Sequence, residues 1–261
     1  MMKALSSAAS GMAAQQFNLD TISNNLANVN TSGFRANIAQ FQDQAYQTLQ
    51  AAGEPVGASN TPAGQQVGLG VKIASSEKLF TQGALTQTGN NLNVGIQGDG
   101  FFQITQPDGS IAYTRDGSFI ENSNGALVTA NGNFLSPSIT VPSNAVSVNI
   151  GQDGTVAVQL PGSTTTQQVG QITLARFTNP DGLTAIGNNL YTQTAASGSP
   201  IVSAPGLNGS GILEAGYLEN SNVSVITEMV NMITAQRAFE ANSKSVSTAD
   251  QMLSTAVQLK Q

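Results

Sequence analysis

The chain has 261 residues and a net charge of −6, but only 9% of its residues are charged, against about 25% in an ordinary globular chain. It contains no Cys and no His, which excludes disulfides, thiolate chemistry, the usual zinc ligands, the Ser-His and Cys-His nucleophile pairs and the commonest general base. No Lys/Arg cluster suits nucleic acid or an anionic membrane surface, and no apolar run reaches the length of a membrane span. The polar surface is therefore mostly neutral Asn, Gln, Ser and Thr, which a neighbouring subunit can cover without desolvating lone charges.

The first 32 residues hold one glycine, Gly11, and no proline. Leu5, Met12, Leu19 and Leu26 recur every seven residues, and Ala8, Ile22 and Val29 fill the +3 positions, with polar Gln15 as the exception. That spacing predicts a helix with an a/d seam, a narrow apolar stripe that needs a partner helix. Asn28, Asn30, Thr31, Ser32 and Gly33 supply a stop, with Gly33 suited to a left-handed cap. Lys3 and the small residues up to Ala14 make a poor signal peptide, because the stretch has a single Leu and the heptad continues through it. The segment is expected to be retained. Residues 46–75 read as an extended connection, rich in Gly, Ala, Gln and Ser around Pro55 and Pro62.

Residues 76–215 read as β. Asp-Gly and Asn-Gly pairs, such as Asp108-Gly109, Asn124-Gly125, Asn131-Gly132 and Asp153-Gly154, punctuate short apolar runs such as Phe101–Ile104 and Val146–Ile150. Such pairs accept positive φ and close hairpins, so an antiparallel β-domain is expected. After residue 216 glycine and proline disappear. Val225, Met232, Phe239, Val246 and Leu253 form a second heptad series, with Ala235, Ala249 and Ala256 at +3 and Asn242 polar. Ser224 is the expected N-cap and Glu228 lies in the first turn. A helix from Ser224 to Leu259 would be about 54 Å long at ~1.5 Å per residue.

The expected fold is therefore α+β. Residues 1–45 and 216–261 form a discontinuous helical domain whose long terminal helices pair like a coiled coil, 46–75 connect, and 76–215 form the central antiparallel β-domain. The seams are equally satisfied by a two-helix hairpin within one chain or by lateral packing of such hairpins between copies.

Chemical motifs are weak. Ser75-Ser76-Glu77-Lys78 has S-x-x-K spacing but lacks the companion S-D-N and K-T-G motifs. Gly95–Gly100 is glycine-rich without phosphate-loop spacing. Asp108, Asp116 and Glu121 could in principle supply a carboxylate pair for glycan cleavage, but two of them have turn explanations. No catalytic, cofactor-binding or metal-binding residue, and no cofactor, is expected.

The most specific signal is Asn24-Asn25-Leu26-Ala27-Asn28-Val29-Asn30-Thr31-Ser32-Gly33-Phe34-Arg35. It resembles the N-terminal signature of the bacterial flagellar rod and hook proteins, with Asn24, Asn25, Leu26, Ala27, Asn28, Val29, Gly33 and Phe34 as its matching positions. GQQVGLGV at 64–71, TQGAL at 81–85, NVGIQGDGFF at 93–102, PDGSIAYTRDGSF at 107–119 and the C-terminal run through Glu228–Ile233 and Gln236–Glu240 are similar to further segments of that family, in the same order. Length and the single β-domain are most like its distal-rod members. Another rod or hook-type axial protein is the alternative, and a secreted wall-active enzyme a distant one.

The resemblance implies a non-enzymatic subunit of a straight tubular helical polymer, a drive shaft that carries motor torque to the hook. It implies Leu5, Met12, Leu19, Ile22, Leu26, Val29, Val225, Met232, Phe239, Val246 and Leu253 as assembly seams. The implied partners are copies of itself, proximal rod proteins, the hook protein, the P-ring and L-ring bushing proteins and the flagellar type III export apparatus, with no nucleic acid and no small-molecule substrate. The implied location is the basal body across the periplasm, reached without a cleaved signal peptide.

Overall fold

A computed structural model describes residues 2–53, 55–56, 59–60, 63–162 and 165–258. Met1, Pro62 and Leu259, the predicted end of the C-terminal helix, lie outside the described residues, as does the side chain of Ala256. The chain is α+β: helix α1 (Met2–Ala27), a series of antiparallel strands, and helix α2 (Val225–Gln258). It divides into two compact units.

Unit 1 contains residues up to 26, 37–78 and from 224 onward. The strands Asn37–Asp43 and Val71–Lys78 pair antiparallel, with a register shift at Gln40/Phe41. The ladder continues outward as Tyr46–Gln50 with Gln65–Gly68, so the segment from 46 to 75 runs out and back on itself. Ser224 precedes α2, and its carbonyl accepts the Glu228 N–H at 2.9 Å. Its side-chain oxygen meets the Thr227 hydroxyl at 3.1 Å, which fits a capping residue.

The helices of unit 1 touch at two described points. A Cβ on Gly11 would lie 2.9 Å from Nδ2 of Asn242, and Asn25 Nδ2 donates to Glu228 Oε1 at 3.3 Å. Moving from residue 11 to 25 on one helix matches moving from 242 to 228 on the other, so the pair runs antiparallel. A seam of coiled-coil type along the whole length would go beyond these two contacts.

Unit 2 contains residues 27–36 and 79–223. A nine-stranded antiparallel sheet is built around the strand Phe101–Thr105. Ile111–Thr114 pairs with one edge of that strand. The other edge is shared by Phe134–Ser136, opposite residues 103–105, and Leu174–Arg176, opposite residues 101 and 102. A three-stranded sheet, Ser147–Ile150, Thr155–Gln159 and Thr166–Gln171, stands apart in the ladder pattern.

Strand alternation sorts the side chains into two cores. Phe102, Ile104, Ala112, Leu174 and Leu190 join Ile150, Val156, Val158 and Leu213 in the larger one. Their neighbours Phe101, Tyr113, Ala175 and Tyr191 point the other way, into an aromatic cluster with Phe177 and Phe80. The rings there meet edge to face, as with Tyr113 and Phe177 at 4.8 Å between centroids, the arrangement ring quadrupoles favour. The sheet is thus buried on both faces at its centre, which explains why the run Phe101–Ile104 is almost entirely apolar.

Gly33 does not cap α1, which already ends at Ala27. It adopts φ +68 inside unit 2, where a Cβ would lie 2.7 Å from the Asp116 nitrogen. The residue is needed for close approach of two backbones as well as for its left-handed conformation.

Candidate assembly surface and the buried ion knot

The candidate site residues fall into three groups. On α2, Met232, Phe239, Val246 and Leu253 are half-buried, as are Asn242 and Ala249, and Ala235 is buried. Val225, the first residue of the helix, is exposed. On α1, Ile22 is buried and Leu5, Met12, Leu19 and Leu26 are half-buried. Val29 lies past the end of α1, in unit 2, and is half-buried.

Of the signature residues, Asn25 has the most defined task. Its Nδ2 donates to the Asn37 carbonyl and its Oδ1 accepts the Asn37 N–H, both at 2.8 Å. It is buried and serves as a two-point clamp between α1 and the first strand. Lys78 Nζ adds a bond to Asn37 Oδ1 at 2.9 Å, and burial pushes the Lys78 pKa down. Asn24 and Ala27 are exposed, Leu26, Asn28 and Phe34 are half-buried, and Gly33 is buried.

Two features escaped the heptad reading. The first is a stripe of small and polar residues on α1: Ser7, Ser10, Ala14, Asn18, Thr21 and Asn25 are all buried or half-buried. Ser10 Oγ accepts the Val71 N–H at 3.3 Å, so this stripe meets the β-ladder of unit 1. The spacing of three and four was present in the sequence, but small polar residues do not register as an apolar stripe. The second feature is apolar. Ile226, Met229, Val230 and Ile233 are 78%, 52%, 54% and 56% exposed, and their spacing places them along one side of α2. Ile38 and Ile73, on the paired strands, are also exposed.

Unit 2 holds a buried ion knot. Glu219 is completely buried. Its Oε1 accepts from Arg35 Nη2 at 2.7 Å and from the Gly83 N–H at 2.9 Å, and its Oε2 accepts from Arg115 Nε at 2.9 Å. The Glu219 carbonyl accepts the Gly33 N–H at 2.8 Å. Arg115 Nη1 donates to the carbonyls of Gly98 at 2.8 Å and Gly100 at 2.6 Å. Asn222 completes the arrangement by accepting the Ala36 N–H at 2.8 Å and donating to the Leu79 carbonyl at 2.7 Å. Residues 36, 79 and 223 are ends of the segments that make up unit 2, so this network ties together the points where the chain enters and leaves it.

The carboxylates considered for glycan cleavage are used locally. Asp108 Oδ1 accepts from the Ser110 hydroxyl at 2.6 Å and the Ser110 N–H at 2.9 Å, which holds its pKa below the usual carboxylate range. Asp116 Oδ1 accepts the Ser118 N–H at 3.1 Å. Glu121 is exposed. No group of three or more Asp and Glu suited to a metal ion occurs among the described residues. None of their helices is long and apolar enough to cross a membrane.

The chain thus has a long helix at each end of its sequence, antiparallel strands between them, and an exposed apolar strip on the second helix. Family models match in that order along the chain: the flagella basal body rod protein model at residues 5–35, the flagellar hook protein FlgE/F/G D1 domain at 95–158, and the flagellar basal body rod FlgEFG protein C-terminal region at 214–259. Flagellar basal-body rod proteins FlgG are similar over nearly the whole length. That of Buchnera aphidicola subsp. Schizaphis graminum is 51% identical over 95% of this chain and 96% of its own. That of Borreliella burgdorferi is 50% identical over 100% and 99%, and that of Caulobacter vibrioides 49% over 99% and 100%. The chain belongs to the flagellar basal-body rod protein family FlgG. It is a structural subunit of the rod, and membership in a structural family implies a non-enzymatic role.

Proposed function

We propose that the chain polymerises into the distal rod, a straight tubular shaft that carries motor torque to the hook. The observation that carries the mechanism is the exposed strip Ile226, Met229, Val230 and Ile233 on a helix already partnered along another side. Apolar side chains at such spacing are unfavourably exposed to water, and packing against another helix lowers their free energy. The occupant is a second copy of the same chain. The antiparallel helices of unit 1 extend their two contacts into a coiled-coil-like pair, and these pairs pack laterally as the inner tube. The seams are Leu5, Met12, Leu19, Ile22 and Leu26 with Met232, Phe239, Val246 and Leu253, with Val29 and Val225 at their outer ends. A contact between different patches on successive copies does not close on itself and so generates a filament.

The domain reading follows: residues 1–45 and 216–261 make the axial core, 46–75 connect, and 76–215 form the β-rich domain. Proximal rod proteins and the hook protein are the axial neighbours, and the P-ring and L-ring proteins surround the shaft in the periplasm. The sparse charge of the sequence suits a surface that turns inside a bushing, since it offers few sites for ion pairing. Export proceeds through the flagellar type III apparatus without a cleaved signal peptide. The test is electron microscopy of basal bodies from cells lacking the gene. Truncated rods without hooks are expected. Complete rods that lack only the hook would move the chain to the hook class, and normal flagella would overturn the assignment.

A further inference from the structure

The sequence contains three Asn-Gly pairs, Asn124-Gly125, Asn131-Gly132 and Asn208-Gly209, all in unit 2. An Asn before Gly is chemically labile, because without a Cβ on the next residue its backbone nitrogen can reach the side-chain amide carbon. All three Asn are exposed, so water reaches each of them. They differ in what holds the attacking nitrogen.

At the first two pairs the glycine N–H closes the turn. Gly125 donates to the Asn122 carbonyl at 2.9 Å and Gly132 to the Thr129 carbonyl at 2.8 Å. Each turn joins strands that pair with one another, Ile120–Glu121 with Leu127–Val128 and Leu127–Val128 with Phe134–Ser136. The third pair is placed differently. Asn208 and Gly209, at φ 53 and 74, are the central residues of a turn that the Ser210 N–H closes onto the Leu207 carbonyl at 2.9 Å. The Ser210 hydroxyl donates to the same carbonyl at 2.6 Å. Both bonds fix the flanks of the turn. Among the described residues the Gly209 N–H donates no hydrogen bond. The strands on either side, Ile201–Ser203 and Ile212–Ala215, belong to different sheets, so no ladder runs on from this turn.

We propose that Asn208 is a site of intramolecular deamidation, the one Asn-Gly pair of the three that the native fold leaves reactive. The Gly209 nitrogen gives its proton to solvent and bonds to Cγ of Asn208. The Cγ–Nδ2 bond breaks, and Nδ2 leaves as ammonia with a proton from solvent. Water then opens the succinimide at either carbonyl, giving aspartate or isoaspartate, with nothing oxidised or reduced. At Asn124 and Asn131 the same attack must first break the hydrogen bond on the attacking nitrogen, which slows it by roughly two- to twelvefold. The product adds one negative charge to the net −6. A Cβ on Gly209 would lie 2.5 Å from Nη1 of Arg176, so the new carboxylate arises one residue from a glycine that a guanidinium touches.

The full chain, as monomer, is incubated at mildly alkaline pH and mapped by peptide mass spectrometry for the mass gain of amide-to-acid conversion. The three sites sit in one molecule and control for each other. Asn208 is expected to convert at least about threefold faster than Asn124 or Asn131. In guanidinium chloride the three rates should converge to within about twofold, because the unfolded chain removes the turns. Asn208→Gln, at an exposed position, should melt like the parent and form the acidic species seen on anion exchange far more slowly. Conversion at Asn124 or Asn131 as fast as at Asn208 in the folded chain overturns the proposal. So does an Asn208 lead that persists in denaturant, which would make the preference a property of local sequence and not of the fold.

Discussion

The two units differ in how far each completes its own packing. Among the described residues of unit 1, only Ala14, Thr21, Ile22, Asn25 and Ala235 are buried. Unit 2 buries two contiguous cores and an ion knot. The β unit therefore carries its own cores, while the helical unit leaves apolar surface exposed. Stability comes mainly from buried apolar area, so a region with little of it should order fully only when a neighbour supplies the rest. A subunit that must reach its polymer before locking benefits from that division.

The contrast is broken most completely by a charge in the helical seam. Phe239→Asp or Leu19→Asp should abolish polymerisation while leaving the melting of the β unit unchanged, because a lone charge cannot be buried between helices. Sedimentation and calorimetry on the same sample check both halves, and normal filaments would refute the seam. Glu219→Gln attacks the other side. It strands two buried guanidiniums and should destabilise unit 2 by about 3–5 kcal/mol, measured by denaturant unfolding followed at its tyrosines. A loss below about 1 kcal/mol would mean that the knot contributes little.

Hydrogen exchange sharpens the comparison without mutation. Amides of 5–26 and 225–256 should exchange quickly in the monomer and slowly in the polymer, while those of Phe101–Thr105 stay protected in both. Full protection of the helices in the monomer would end the idea that assembly orders them. Asn25→Ala should cost unit 1 about 1–3 kcal/mol, since it leaves both backbone groups of Asn37 unpaired. The loss should appear as faster exchange at 37–43, with unit 2 unaffected.

The smallest effect is on acid stability. Asp108 and Asp153 have pKa values lowered by hydrogen bonds from Ser110 and Thr155. Their contribution is present above the unfolded carboxylate value of about 3.9 and is lost as pH falls through their folded values. The Asp108→Asn, Asp153→Asn double variant should lower stability slightly near pH 7, where that contribution is present, and flatten the acid limb of the stability curve below about pH 4. An unaltered acid limb would show that these turns do not sense pH.

Much of this architecture was legible because it is local. Heptad spacing, the lack of glycine and proline at both ends, and Asp-Gly and Asn-Gly turns are properties of neighbouring residues, and they marked α1, α2 and the hairpins of the β unit. The order of the Asn-rich signature and the central and C-terminal motifs pointed to the family. What stayed hidden is long-range. Arg35, Arg115 and Glu219 are 80 to 184 residues apart along the chain, and nothing in their local sequences announces a shared carboxylate. In a chain with so few charges, an Arg two residues from a glycine, as at Gly33 and Gly117 where the backbone is closely approached, was the available hint.

The sequence by itself determined the element types and their order, because periodicity and turn chemistry act over a few residues. Only the tertiary structure decided which face of each element is covered. Alternate residues of Phe101–Thr105 enter different cores because sheets pack on both sides. Asn25 clamps Asn37 because α1 lies along that strand. Ile226, Met229, Val230 and Ile233 stay exposed because no described residue of unit 1 covers them, which is a matter of three-dimensional supply and not of hydropathy.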